Sequence, residues 1–264
     1  MKVFAIDLDG TLLDENKAIS ESDAASLVGI QKHGDRIVLA TGRNQTEANL
    51  YIDILELRQH KGAVILADGQ YIEDFCNDKT YELPFLNIKD TIFLLNLVTK
   101  DNTIEVITPG KNYYIFYTTL SAAYWKFKIR NLFSKNAAIS KKHIKKMNPK
   151  RIEKIVTDRI IENSYREEIE RNYELFYVHD KKRYEIKQKH VNKAKALSKL
   201  IKEWGVSREN LYVFGNDDND ICMMNLTQNS YAVFDSTDIV KETANYMLKE
   251  QSSAVVDCIL SICK

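Results

Sequence analysis

The chain opens on an apolar run, "VFAI", that stops against "DLDGT". A short apolar run bounded by turn residues reads as a strand buried on both faces, and residues 2–7 are predicted as one. Residues 20–33, "SESDAASLVGIQKH", read as a helix opened by Ser20 and stopped by Gly34. "RIVLA" (36–40) is a second buried strand, residues 44–57 a second helix, and "AVILA" (63–67) a third strand ending in Asp68-Gly69. Strand, helix, strand, helix, strand with short joints predicts a parallel sheet with crossover helices.

The pattern changes near Pro84. A helix is predicted over 87–99, a hairpin around "PGKN" (109–112), and an aromatic-basic helix over 121–133. A basic stretch, "KKHIKKMNPKRIEK" (141–154), precedes a strand (152–157), a helix (160–172) and a hairpin turning at "HDKK" (179–182). Neighbouring strands joined by tight turns predict an antiparallel sheet. After about 188 the first pattern returns. It brings a helix over 192–205, a strand running into the acidic cluster "FGNDDND" (214–220), a strand over 231–235 and closing helices. The expected fold class is therefore α/β: a Rossmann-like parallel-sheet core from residues 1–83 and 188–264, with an α+β cap domain inserted at 84–187.

Charge sharpens this division. The 264 residues carry a formal net charge of only +1. Residues 84–187, however, hold 21 Lys and Arg against 12 Asp and Glu, and the rest of the chain holds 17 against 25. A basic insert in an acidic core suggests two units with different jobs. The near-neutral total gives no ground for nucleic-acid binding, and no nucleic-acid fold signature accompanies the basic helix. The longest apolar stretch, "IFLLNLV" (92–98), is too short to span a bilayer. Asp7 and Asp9 cut the first apolar run too early for a signal peptide. Cys76, Cys222, Cys258 and Cys263 form no C-x-x-C pair, which fits reduced thiols in a cytoplasmic protein.

The candidate chemistry lies at strand ends, where open parallel sheets bind ligands. Asp7 and Asp9, two apart at the end of a strand, would share one face. Like charges so placed repel, so folding alone gives little reason for them, although Asp, Gly and Thr are also ordinary turn residues. Paired hard oxygen ligands suit Mg²⁺, which accepts one or two carboxylates, water and substrate phosphate. Thr41-Gly42-Arg43 follows the second strand. Gly215 to Asp220 ends a later one. All three ends could build one polar site.

Taken together, "DLDGT" (7–11), "TGR" (41–43), "NKAKAL" (192–197) and "FGNDDND" (214–220) resemble the four motifs of the haloacid dehalogenase superfamily, and most closely its Cof-type sugar phosphatases. The resemblance implies a Mg²⁺-dependent phosphatase that passes through an aspartyl-phosphate. Asp7 would be the nucleophile and Asp9 the general acid and base. Gly10, Thr41, Gly42, Arg43, Lys193 and Asn219 would contact phosphate or substrate. Asp7, Asp9 (through its carbonyl), Asn216 and Asp220 would hold the metal. The implied partner is a small phosphorylated metabolite, with a sugar phosphate first and a nucleotide or cofactor phosphate next. A phosphomutase of the same superfamily and a non-catalytic phosphometabolite-binding protein are the alternatives. Three departures stand out. Asn216 replaces the usual aspartate, which leaves Asn216 or Asp217 as ligand. Asp68-Gly69 replaces Asn-Gly. Ser236 falls where an asparagine is usual.

Overall fold

The computed structural model describes residues 1–97, 104–109, 111–116, 129, 137–140, 151–157, 163–178, 182–249 and 253–264. The chain divides into two compact units, residues 1–83 with 191–264, and residues 84–190. The predicted helix over 121–133 and the basic stretch from 141 lie almost wholly outside the described residues.

The first unit begins with β1 (Val3–Ile6), α1 (Glu21–Lys32), β2 (Arg36–Ala40), α2 (Gln45–Ile54) and β3 (Ala63–Leu66). Ser20 caps α1, accepting from the Asp23 N–H at 3.1 Å, and Gly34 ends it at φ +100°. Asn44 and Glu47 form a reciprocal capping box on α2. Two strands were not anticipated: β4 (Tyr71–Asp74) and β5 (Lys79–Glu82) pair antiparallel beyond β3. Their charged, exposed positions mask the period-2 signal at an edge that packs on one side. The buried Asp74 carboxylate ties their turn by accepting from the Cys76 and Asn77 N–H groups.

The inserted unit holds α3 (Ile88–Leu97), β6 (Ile104–Thr108), β7 (Lys111–Phe116), β8 (Ala137–Ser140), β9 (Lys154–Thr157), α4 (Asn163–Asn172), β10 (Tyr173–Val178) and β11 (Arg183–Gln188). The sheet order is β10-β11-β9-β6-β7-β8. It is antiparallel except where β8 joins β7 in parallel. One face packs Val106, Ile155 and Ile186 with Leu94 of α3 and Ile169 of α4. β11 runs through Gln188, so this unit closes at His190, slightly beyond the predicted return at 188.

The chain then re-enters the first unit with α5 (Lys193–Glu203), β12 (Leu211–Gly215), α6 (Asp218–Met224), β13 (Asn229–Ala232), α7 (Asp238–Thr243), β14 (Tyr246–Met247) and α8 (Ala254–Cys263). The strand predicted over 231–235 sits earlier. Ser230 and Ala232 face the core, while Phe234 is exposed and Asp235 lies in the following turn. The completed order is β14-β13-β12-β1-β2-β3-β4-β5, parallel from β14 to β3.

Alternation along β1 explains the layering. Phe4 and Ile6 pack on one face with Leu27 of α1, Ile52 of α2 and Ile259 of α8. Val3 and Ala5 pack on the other with Leu197 and Leu200 of α5 and Met223 of α6. Each large apolar side chain so buried contributes about 1.5–3 kcal/mol. The strand order reverses at β1 and β12, the switch point where ligands bind in such sheets. The four cysteines are free thiols, and among the described residues no helix is long and apolar enough to cross a membrane.

Candidate active site

At the switch point, the carboxyl ends of β1, β2 and β12 meet. The Asp7 N–H donates to the Phe214 carbonyl at 3.0 Å, so Asp7 extends the β1–β12 ladder by one rung. Its side chain is buried. Lys193, the first residue of α5, is wholly buried and joins the end of β1 to the first turn of α6. Its Nζ lies 2.6 Å from Asp7 Oδ1 and 2.7 Å from Asp220 Oδ1. Asn192 fixes the start of that helix by accepting from the Lys195 N–H at 2.8 Å. Asp220, in the first turn of α6, accepts on its other oxygen from the N–H groups of Asn216 (2.9 Å) and Asp217 (3.2 Å).

Asp9 does not share a strand face with Asp7. β1 ends at Ile6, and the chain turns through Leu8–Leu12, closed by the Leu13 N–H on the Leu8 carbonyl at 3.0 Å. Gly10 makes this turn at φ +78°, and a Cβ there would run into Asn216 Nδ2. The two carboxylates therefore separate. Asp7 faces Lys193, while half-exposed Asp9 meets Arg43 Nε at 2.8 Å, Arg43 Nη2 at 2.7 Å and Lys17 Nζ at 3.0 Å. The repulsion expected of the pair is relieved by separate cations.

Arg43 is thus turned onto Asp9. Thr41, buried at the end of β2, accepts from the Arg43 N–H through Oγ1 at 3.1 Å. Gly42 lies against Asp68, since a Cβ on it would sit 2.9 Å from Asp68 Oδ1. Asn219 donates to the same Asp68 oxygen at 2.8 Å. Asn216 accepts from Thr11 Oγ1 at 3.0 Å and so projects over the β1 turn. Asp217 turns to its own helix, capping α6. Ser236 is buried, with Oγ 3.4 Å from the Gly215 carbonyl. The structure brings all ten predicted residues to one edge, in two clusters. One surrounds Lys193 and the other surrounds Asp9.

Three further residues were not read from sequence as part of the site. Lys17 contacts Asp9 from the loop before α1. Tyr51 accepts from Arg43 Nη1 at 3.0 Å and donates to the Lys17 carbonyl at 2.8 Å. It lies on the buried face of α2, where its spacing with Ala48 and Ile52 reads simply as core. Asp68 was visible only as a departure from Asn-Gly.

Burial pushes the Asp7 carboxyl up to about 8, with Lys193 opposing and Asp220 adding to the rise. Burial would lower Lys193, but Asp220 and Asp7 prevail and hold the ammonium charged. Asp9 is held well below the usual carboxylate range by the Arg43 hydrogen bonds, against burial and with help from Lys17.

The donor set is open. Among the described residues no three His, Cys, Asp or Glu side chains converge as a closed metal cage. Lys193 takes one oxygen of Asp7, and Asp220 and the amide oxygen of Asn216 stand at the same edge. Two carboxylates, an amide and backbone carbonyls, all hard oxygens, suit Mg²⁺ better than a softer ion.

The parallel sheet, with acidic residues at its carboxyl edge, defines a doubly wound α/β fold. The profile of the haloacid dehalogenase-like hydrolases matches residues 4–259, and the chain belongs to that family. It is 28% identical over 248 residues to the 5-amino-6-(5-phospho-D-ribitylamino)uracil phosphatase YcsE of Bacillus subtilis, covering 94% of this chain and 89% of that protein. It is 23% identical over 265 residues to the pyridoxal phosphate phosphatase YbhA of Escherichia coli, covering 96% and 94%. Its fold matches the subclass IIB sugar phosphatase BT4131 with a TM-score of 0.74 at 16% identity, covering 100% of this chain and 99% of that one. The chain is an enzyme, a phosphoric monoester hydrolase by family.

Proposed function

We propose that this enzyme is a Mg²⁺-dependent phosphatase of small phosphorylated metabolites that works through an aspartyl-phosphate on Asp7. The observation that carries the reading is the bridge of buried Lys193 between Asp7 and Asp220. It joins the end of β1 to the start of α6, and an ammonium there serves phosphoryl oxygens as well as carboxylates.

In this reading the Asp7 carboxylate attacks phosphorus and displaces the alcohol. Lys193, the Thr41 hydroxyl, the Gly42 N–H and the Asn219 amide bind phosphoryl oxygens, where transition-state charge collects. Gly10 keeps the β1 turn open against Asn216. Asp9 handles the proton: as the neutral acid it gives one to the leaving alcohol, and as the carboxylate so formed it takes one back from the water that attacks the aspartyl-phosphate and frees Asp7. Such a group contributes roughly 10²–10⁴-fold. With both oxygens on Arg43 and Lys17, Asp9 is drawn here in its ionised, proton-accepting form. Asp7, the Asp9 carbonyl, Asn216 and Asp220 would hold Mg²⁺, which supplies positive charge between a carboxylate nucleophile and a phosphate dianion.

For substrate we favour a phosphomonoester on a polyhydroxylated carbon chain. A phosphorylated ribityl chain and a sugar phosphate are named for two of the similar proteins. A pyridoxal phosphate, named for a third, is the next class to assay. The test is phosphate release from a panel of sugar, polyol, nucleotide and cofactor phosphates, with Mg²⁺ and with excess chelator. Release that requires Mg²⁺ and prefers polyol or sugar phosphates is expected. Release that persists in chelator would remove the metal, and isomerisation without release would make the enzyme a mutase. A cytoplasmic setting fits free thiols and such substrates.

A further inference from the structure

We infer that Asp68 is an electrostatic counterweight in the phosphate cradle, weakening the hold on substrate phosphate and free phosphate alike. The inference rests on the cradle proposed above and deepens it.

Asp68 is buried and sits at the heart of that cradle. Its backbone adopts φ +50°, and its N–H donates to the Thr41 carbonyl at 2.9 Å. This bond brings the side chain back over the β2 loop. There the carboxylate lies against Gly42 and accepts from the Asn219 amide at 2.8 Å. It is also near enough to Lys193 to add to the attraction that keeps the ammonium charged. One side chain therefore touches or faces three of the four groups that would bind phosphoryl oxygens.

Its effect follows from charge. Lys193 already faces Asp7 and Asp220. Among the described residues, Asp68 adds a third carboxylate that acts on this ammonium. A phosphate dianion entering beside Gly42 and Asn219 meets this third negative charge at close range, in surroundings that screen poorly. A purely supporting role, holding the loop and the Asn219 amide, would act with the opposite sign. Losing support weakens phosphate binding, whereas losing the counterweight tightens it.

Asp68→Asn separates the two. The amide keeps the shape, and asparagine tolerates a positive φ better than other residues that could stand in. Inorganic phosphate binding is measured by calorimetry with Mg²⁺ present, beside product inhibition and KM for p-nitrophenyl phosphate. Binding should tighten roughly tenfold, the order expected for one charge removed several Å from a dianion in partly screened surroundings. KM should fall with it, and kcat should not rise in proportion. Asp68→Glu, which keeps the charge, should bind phosphate no more tightly than wild type. Unchanged or weaker phosphate binding in Asp68→Asn overturns the counterweight. Lys193→Gln serves as reference. If it leaves phosphate binding intact, the cradle itself is wrong, and the inference falls with it for a separate and recognisable reason.

Discussion

At the residue scale the site is a division of charge. Asp7 and Asp9 are neighbours in sequence, yet one is buried on Lys193 and the other is half exposed on Arg43 and Lys17. The consequence for Asp7 is testable. Folding pushes its carboxyl up to about 8, chiefly through burial, so at neutral pH an ionised Asp7 costs the fold free energy that it would not cost in water. Asp7→Asn should therefore abolish turnover without loss of stability. Its melting temperature, read calorimetrically without metal, should equal or exceed that of wild type. A marked fall would mean that the Asp7–Lys193 pair supports the fold more than burial opposes it. The sign with pH follows. A carboxyl raised in the folded state binds more protons there than in the unfolded chain, so its contribution worsens as pH climbs from about 4 towards 8. Wild type should lose stability relative to Asp7→Asn over that interval. Asn216 belongs to the same scale. Its amide oxygen already accepts from Thr11 over the β1 turn. Asn216→Asp should lower the Mg²⁺ concentration for half-maximal activity, because a carboxylate binds a hard cation more strongly than an amide does. An unchanged value would remove Asn216 from the metal shell.

At the scale of elements, the strands buried on both faces were readable, and the reasons are local. "VFAI" is apolar throughout, and "RIVLA" is apolar at every position after Arg36, because helices cover both sides of β1 and β2. Ser20 announced its helix as a cap. The β4–β5 edge was not readable, since residues such as Glu73, Thr80 and Glu82 face outward and break the apolar signal. Nor was the separation of Asp7 from Asp9, because an i, i+2 rule holds only while the strand continues, and β1 ends at Ile6. The motif residues were legible as types at strand ends. Tyr51 and Lys17 were not, because their part in the site depends on contacts that no spacing encodes. Asp217 shows the same limit. In sequence it competes with Asn216 as a ligand, but it forms a reciprocal capping box with Asp220 at the start of α6. Asp217→Ala should cost about 1 kcal/mol of stability, as lost N-caps do, and leave half-maximal Mg²⁺ nearly unchanged. A large rise in the Mg²⁺ requirement would transfer the ligand role to Asp217.

At the scale of the whole molecule, one edge of one sheet concentrates negative charge at a cost to the fold. Lys193 faces Asp7 and Asp220 directly, with Asp68 close by. Among the described residues three carboxylates lie near that ammonium, and the site's members come from residues far apart in the chain. Stability and metal binding should therefore be linked. A cation that binds the folded site and not the unfolded chain stabilises by an amount that grows with its concentration, about 2.7 kcal/mol at a hundredfold excess over its dissociation constant. The melting temperature of wild type should rise as Mg²⁺ is added and return with chelator. The rise should be much smaller in Asp7→Asn, which removes one of the two carboxylates proposed to hold the ion. It should be larger at low Mg²⁺ in Asn216→Asp, where the ion binds more tightly. Sodium chloride at matched ionic strength is the control, because surface charges respond to both salts and a specific site responds to one. If Mg²⁺ shifts wild type no further than sodium chloride does, these residues do not form a cation site, and Asp7 must be activated by Lys193 alone.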